Sequence, residues 1–240
     1  MYIIPFHSIM LRRFSDIKNA IYINLDIRTD RRLLFEKQLE DLHSLYPADF
    51  SFYPASRFSA FYHEEGAIGC SMSHLECLRI AKNNSWDHVL IFEDDAHFVH
   101  PEVLVHQVNS FLSQVQDRWD VLLLSGNNFP PFKIESPYCF RVANCQVATC
   151  YLVCSRYYDT LIRNFEEGLV GLTANPKNKP EFACDMYWKR LQREHRWFLI
   201  TPICVIQRPG YSDIEKQDVN YEKVMTDLVK KRPPLHAFRP

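Results

Sequence analysis

The feature that most constrains this chain is a short apolar run driven straight into acids. Residues 88–92 read HVLIF and are followed at once by Glu93, Asp94 and Asp95. A continuous apolar segment of that length reads as a buried strand. The same grammar recurs at residues 20–25 (AIYINL), ended by polar residues 26–32, and at residues 121–124 (VLLL), which open into Ser125, Gly126, Asn127 and Asn128. Helical spacing separates these strands. Residues 30–45 place Leu33, Leu34, Leu39, Leu42 and Leu45 along one stripe with Asp30 as a cap. Residues 71–83 carry a capping box, Ser73 with Glu76, behind a flexible turn at Gly66 and Gly69. Residues 102–116 repeat the apolar period, and residues 50–55 read as a further short strand. Strands alternating with helices predict an α/β fold with a mainly parallel sheet and a site along its carboxyl edge.

The later part is more mixed. Residues 143–153 read as one or two strands, 156–166 and 185–192 as helices, and 198–206 as a strand, with a polar surface loop at 173–180. Residues 1–19 show no period and read as a loosely attached leader. Residues 20–229 form a single domain, and 230–240 a basic, Pro-rich tail. A length of 240 residues suits such a domain.

Charge narrows the partners. With 28 Lys+Arg against 29 Asp+Glu, no global field draws the chain onto nucleic acid or an anionic membrane. No apolar stretch approaches the roughly 18 residues of a transmembrane helix. The start, MYIIPFHSIMLRRF, lacks a basic region ahead of its apolar patch and a small-residue cleavage site, which predicts a cytoplasmic chain. The eight cysteines include no C-x-x-C pair and sit mostly among apolar neighbours, so they read as buried free thiols.

Three segments carry chemistry. Strand alternation would set Glu93 and Asp95 on one face and Asp94 on the other, and two hard oxygen donors suit Mg²⁺ or Mn²⁺. Acids at a strand-to-helix junction also serve simply as helix caps. Arg28, Arg31 and Arg32 follow the first strand and would open on the same edge, where a guanidinium fork matches phosphate. The glycines of residues 66–74 (GAIGCSMSH) let backbone approach a ligand, with Ser73 and His74 as the side chains of interest. The dinucleotide and P-loop glycine motifs, the serine-hydrolase elbow and the zinc-protease helix motif are all missing.

Taken together, INLDIRTDR (residues 23–31), GAIGCSMSH, VLIFEDDAHF (89–98) and YSDI (211–214) resemble glycosyltransferase family 25. That family includes bacterial lipooligosaccharide sugar transferases and collagen hydroxylysine galactosyltransferases. Asn24, Leu25, Arg28 and Arg31 match its first block. Gly69, Cys70, Ser73 and His74 match its second, where Ala67 replaces the usual Glu. Glu93-Asp94-Asp95 is similar to its E-D-D, Asp185 to its acceptor-side carboxylate, and Gln207, Ser212 and Asp213 to its terminal block.

The resemblance implies a GT-A-like, nucleotide-sugar-binding Rossmann-type sandwich. It implies a metal-dependent hexosyltransferase that takes galactose or glucose from a UDP-sugar to a saccharide or collagen-like acceptor. Mn²⁺ or Mg²⁺ would sit on Glu93 and Asp95, while Asp94 and the matched residues of the other blocks contact the donor. Asp185 would act on the acceptor hydroxyl. Lipopolysaccharide biosynthesis in a bacterial cytoplasm, or glycosylation in a host cytoplasm by a viral enzyme, fits the absent leader better than collagen glycosylation in an animal lumen. Two alternatives stay open: a non-catalytic sugar-binding module of the same fold, and a metal-dependent phosphoesterase.

Overall fold

The computed structural model describes residues 10–230. The chain begins with β1 (Ala20–Asn24), α1 (Thr29–Leu45), β2 (Ser56–Ser59) and α2 (Gly66–Asn83). It continues through β3 (His88–Glu93), β4 (Ala96–Phe98), α3 (Pro101–Val115), β5 (Val121–Leu123) and β6 (Asn127–Asn128). Next come β7 (Phe132–Ser136), β8 (Cys139–Val142), β9 (Cys145–Gln146), β10 (Cys150–Cys154) and α4 (Tyr158–Ala174). Three short helices follow, α5 (Lys179–Phe182), α6 (Cys184–Tyr187) and α7 (Lys189–Glu194). The described chain closes with β11 (Trp197–Ile200), β12 (Val205–Gln207), β13 (Gly210–Ser212), β14 (Gln217–Val219) and α8 (Glu222–Thr226).

Eight strands form the central sheet in the order β2-β1-β3-β10-β5-β11-β8-β7, and only β8 and β10 run against the others. The sheet is therefore mixed but mainly parallel, as the strand–helix alternation predicts. Successive residues of β3 feed two cores. Leu90 and Phe92 join Phe35 and Leu39 of α1 and Leu104 and Val108 of α3. Val89 and Ile91 join Leu75 and Leu78 of α2 and Leu161 and Phe165 of α4. Burial on both faces explains why this strand reads as a continuous apolar run. The parity matters for chemistry, because it directs Glu93, two residues after Ile91, toward α2.

Several expectations are corrected. Only Leu39 and Leu42 of the predicted leucine stripe are buried, with Phe35, while Leu33, Leu34 and Leu45 face solvent. Residues 35, 39 and 42 share one helical face and the other leucines do not. The strand predicted at 50–55 is a loop, and β2 lies just after it. Phe50 and Phe52 are buried as members of an aromatic cluster with Phe14, Phe92 and Phe98, so their apolar signal reports core rather than a ladder.

α2 starts at Gly66, so Gly69 is helical and not a flexible turn. A Cβ on Gly69 would stand 2.4 Å from the carbonyl of Phe61, so glycine here permits a close approach. Ser73 is correspondingly mid-helix and caps nothing. The predicted strand at 198–206 divides into β11 of the main sheet and β12, which pairs with β4. Residues 173–180 are mostly helical, with Pro176 and Pro180 in first turns where a missing N–H is no loss.

The leader is also shorter than expected, because Leu11, Phe14 and Ile17 are buried in the core beside α3, and the Phe14 amide donates to Asn109 Oδ1 at 2.6 Å. Residues 1–9 of the leader and 231–240 of the tail lie outside the described residues. All eight cysteines are free thiols, and only Cys70 is less than fully buried. Among the described residues no helix is long and apolar enough to cross a membrane.

His88 opens β3 from a buried position. Its Nε2 accepts the Lys18 amide at 3.0 Å, while its Nδ1 finds no partner. Burial pushes its pKa down to about 4. The unfolded chain therefore binds more protons between about pH 4 and 6.5, so stability rises with pH across that window and is lost as pH falls through it. The full span corresponds to about 3 kcal/mol. Urea denaturation at pH 4.5, 5.5 and 7 should show this rise in the natural chain and a flatter profile in His88→Asn. Parallel profiles would remove His88 as the cause.

Candidate active site

β1 and β3 are parallel neighbours, so their carboxyl ends open on one edge of the sheet. A cavity of about 630 Å³ lies there, lined by residues that follow β1 and β3 together with the segment after β12. Leu25, Arg28, Arg31, Ser73, His74, Glu93, Asp94, Asp95, Gln207, Ser212 and Asp213 all line it. Asn24 lies beneath and is buried. Asp185 lines an adjoining cavity of about 360 Å³ with Gln146, Val147, Lys179, Met186 and Tyr221. Cys70, Glu93, Gln207 and Ser212 border both cavities.

Arg31 lies at the centre of the first cavity's charge. Its Nη1 donates to Asp94 Oδ1 at 3.0 Å and to Asp95 Oδ2 at 3.1 Å, while its Nη2 donates to the Tyr211 carbonyl at 2.6 Å. The expected placement of Asp94 on the opposite face from Asp95 is thus corrected. β3 ends at Glu93, strand alternation stops there, and the turn that follows brings both aspartates to one guanidinium. Asn24 fixes Asp94 further through Nδ2 to Oδ2 at 2.7 Å, and Arg57 holds Asn24 Oδ1 from below. Gln207 Nε2 donates to Asp95 Oδ2 at 3.0 Å.

Arg28 plays a different part. It is clamped between Asp30, two residues on, and Asp213. That pair ties the turn after β1 to the segment after β13. Ser212 Oγ accepts the Glu215 amide at 3.1 Å and shapes the same segment. Ser73 Oγ donates to the Gly69 carbonyl and accepts the Phe61 amide, so it fixes the β2–α2 connection.

Glu93 faces α2, as the parity of β3 requires. Its Oε1 meets His74 Nε2 at 3.2 Å and its Oε2 accepts the Thr149 hydroxyl at 3.1 Å. The other nitrogen of His74 lies 2.9 Å from the Tyr151 hydroxyl. Burial works against charge on both partners. Their mutual hydrogen bond and attraction nevertheless hold the Glu93 carboxyl below its ordinary range and lift the His74 imidazole above its own. The two aspartates go the other way. Burial raises both, and the neighbouring Glu93 charge adds to it, so that Asp95 is pushed up to about 7 despite Arg31.

Asp95 Oδ1 is buried and has no hydrogen-bond partner, while its Oδ2 is shared by Arg31 and Gln207. An unshared carboxylate oxygen on a residue lining an acid-rich cavity is a donor suited to a hard divalent cation. The residues present therefore fit Mn²⁺ or Mg²⁺, with Asp95 and its neighbour Asp94 as the converging acids.

In the second cavity Asp185 Oδ2 accepts the Val147 amide at 3.0 Å. Val147 has φ of 82°, a left-handed conformation that a β-branched residue rarely adopts. Burial raises the Asp185 pKa, and the Val147 amide opposes that rise.

Sequence reasoning did not single out Thr149, Tyr151, Arg57 or the exposed rim residues Phe61 and Tyr62. Thr149 and Tyr151 reach Glu93 and His74 only because β10 inserts antiparallel beside β3, with Tyr151 opposite Ile91. Ala67, which stands where a Glu was expected, borders the second cavity, while Glu64 lines the first.

The sequence profile of glycosyltransferase family 25 (LPS biosynthesis protein) matches residues 17–169. A search of curated protein sequences finds no match. Similar solved structures include a glycosyltransferase involved in glycosylation of the major capsid of PBCV-1, at 10% identity over 76% of this chain and 81% of that one, with a TM-score of 0.49. A mannose-1-phosphate geranyltransferase from Thermus thermophilus matches at 11% identity over 77% and 73%, with a TM-score of 0.42. A Drosophila galactosyltransferase variant in complex with manganese, UDP-Gal and xylobiose matches at 10% identity over 92% and 83%, with a TM-score of 0.42. At these scores the likenesses carry no inference about chemistry.

The Asp185–Val147 contact is directly testable. Asp185→Ala leaves the Val147 amide unpaired and its backbone unsupported, so it should destabilise the fold by about 1–3 kcal/mol. Asp185→Asn keeps an acceptor oxygen and should remain within about 1 kcal/mol of the natural chain. Chemical denaturation of both variants checks this, and equal stabilities would show that the bond contributes nothing.

Proposed function

The chain belongs to glycosyltransferase family 25, and on that premise we propose that it moves galactose or glucose from a UDP-sugar to a saccharide acceptor in lipopolysaccharide-type biosynthesis. The observation that carries this reading is the buried Asp95 oxygen without a partner, set among acids and arginines at the carboxyl edge of the sheet. When bound, a Mn²⁺ or Mg²⁺ ion on Asp95 and Asp94 would supply positive charge beside a diphosphate.

Transfer breaks the bond between the anomeric carbon and the diphosphate oxygen. The bonding pair leaves with the diphosphate, so negative charge grows on the UDP side. Arg31 and Arg28 line the cavity where that charge would develop, and groups held in place before the reaction stabilise it without reorganising. Gln207 and Asn24 keep the aspartates aimed through hydrogen bonds. Phe61 and Tyr62, exposed at the mouth of the cavity, offer apolar faces to the nucleoside.

The acceptor would enter the second cavity. There Asp185, with its raised pKa, is placed to take the proton of the attacking hydroxyl while the new glycosidic bond forms. Lys189, whose own pKa burial lowers, lies close enough to Asp185 to moderate its charge. The contiguity of the two cavities at Glu93, Gln207 and Ser212 supports a donor and an acceptor meeting at one boundary.

The test is release of UDP from UDP-galactose and UDP-glucose with Mn²⁺ and then with EDTA, without acceptor. One donor should be hydrolysed in a metal-dependent manner. Asp95→Ala should lower that rate by on the order of 10²–10³ while the melting temperature is retained. An undiminished, EDTA-resistant rate in Asp95→Ala would overturn the role given to this acid. No release from either donor, with UDP and Mn²⁺ raising the melting temperature all the same, would favour the non-catalytic sugar-binding module.

A further inference from the structure

A second group of donors lies between the two cavities and has no part in the scheme above. Cys70 and His74 stand four residues apart on α2, about one turn, so they leave the same face of the helix. Cys184, the first residue of α6, is brought against them from a distant part of the chain, where its amide donates to Ser71 Oγ at 3.2 Å. The two sulfur atoms and a ring nitrogen of His74 all lie within 4.8 Å of one another. A fourth donor completes the set. Glu93 Oε1 is 3.2 Å from His74 Nε2 and 3.6 Å from Cys70 Sγ.

We propose that Cys70, His74 and Cys184, completed by Glu93, form a binding site for a thiophilic divalent cation, for which Zn²⁺ is the natural fit. A tetrahedral zinc ion with bonds of about 2.3 Å to sulfur and about 2.0 Å to nitrogen spaces its donors about 3.5–3.8 Å apart. The side chains therefore need to close by only on the order of 1 Å. Two sulfurs with one imidazole favour zinc over magnesium or manganese, which take oxygen donors. This ion is thus chemically distinct from the one that Asp95 suits.

The surroundings agree with that assignment. His74 is wholly buried, and Tyr151 holds its Nδ1, the kind of orienting contact that metal-binding imidazoles have. Thr149 holds the other oxygen of Glu93. Access is present as well, because Cys70 and Glu93 border both cavities and Cys184 borders the second. An ion there would sit in the partition between the cavities and fix α2 to α6 across it.

The experiment is a Co²⁺ titration of the full chain after EDTA treatment and desalting, followed by absorbance. One equivalent should produce the near-ultraviolet thiolate-to-cobalt charge-transfer band and the strong visible bands of a tetrahedral site, and Zn²⁺ should abolish both. Excess Mn²⁺ should not. Cys184→Ser should weaken Zn²⁺ binding at least tenfold, while Cys204→Ser, at a cysteine outside the cluster, should leave it unchanged. If Cys184→Ser does not fold, the spectrum of the natural chain and its resistance to Mn²⁺ decide the matter. A weak, octahedral spectrum, or one unchanged in a folded Cys184→Ser protein, overturns the site. Activity on UDP-sugars does not enter, so this result and the transferase reading stand or fall separately.

Discussion

The site depends on one electrostatic problem: how to keep Asp94 and Asp95 together in a buried place at the end of a sheet. Two carboxylates removed from water repel each other and lose hydration, and an uncompensated buried charge is strongly destabilising. Arg31 supplies the compensation by reaching both acids with a single nitrogen. Its own position depends on the turn after β1, which Arg28 pins to Asp213, and on the Tyr211 carbonyl. Three remote stretches of chain are thereby tied together at one guanidinium. The compensation is incomplete, since Asp95 keeps a raised proton affinity and one oxygen without a partner. That residual demand for positive charge marks the cavity as a place for a cation and a phosphate-bearing ligand.

Glu93 shows how a difference of one position separates two kinds of chemistry. It belongs to the same run of acids, yet β3 is still regular at that residue and turns it toward α2. There it meets a histidine and two cysteines, while the aspartates beyond the strand meet arginine. Hard oxygen donors and soft sulfur donors are thus sorted to opposite sides of one boundary by where the strand ends.

Much of this was legible in the sequence. The apolar runs that became β1, β3 and β5 carry their fold assignment in composition alone, because burial on both faces leaves no room for polar alternation. The acids and arginines at the ends of those strands were legible for the same reason, since charge placed next to a buried run needs an explanation. What failed were inferences from local pattern where distant packing decides. Phe50 and Phe52 look like strand residues but fill a cluster with Phe14 and Phe98. Ser73 and Glu76 have the spacing of a capping box but sit inside α2, whose start is set further back by the close approach of Gly69 to Phe61. The contacts of Thr149 and Tyr151 depend on β10 entering the sheet beside β3, a pairing between segments far apart in sequence.

The central claim is that Asp95 is where positive charge and the donor diphosphate come together. Crystals grown with UDP and Mn²⁺ would test it most directly, using the anomalous scattering of manganese to locate the ion. The account predicts a peak within bonding distance of Asp95 Oδ1, with the diphosphate of UDP beside it in the larger cavity. An ordered UDP whose manganese lies away from Asp95, or which binds in that cavity with no ion at all, would contradict it.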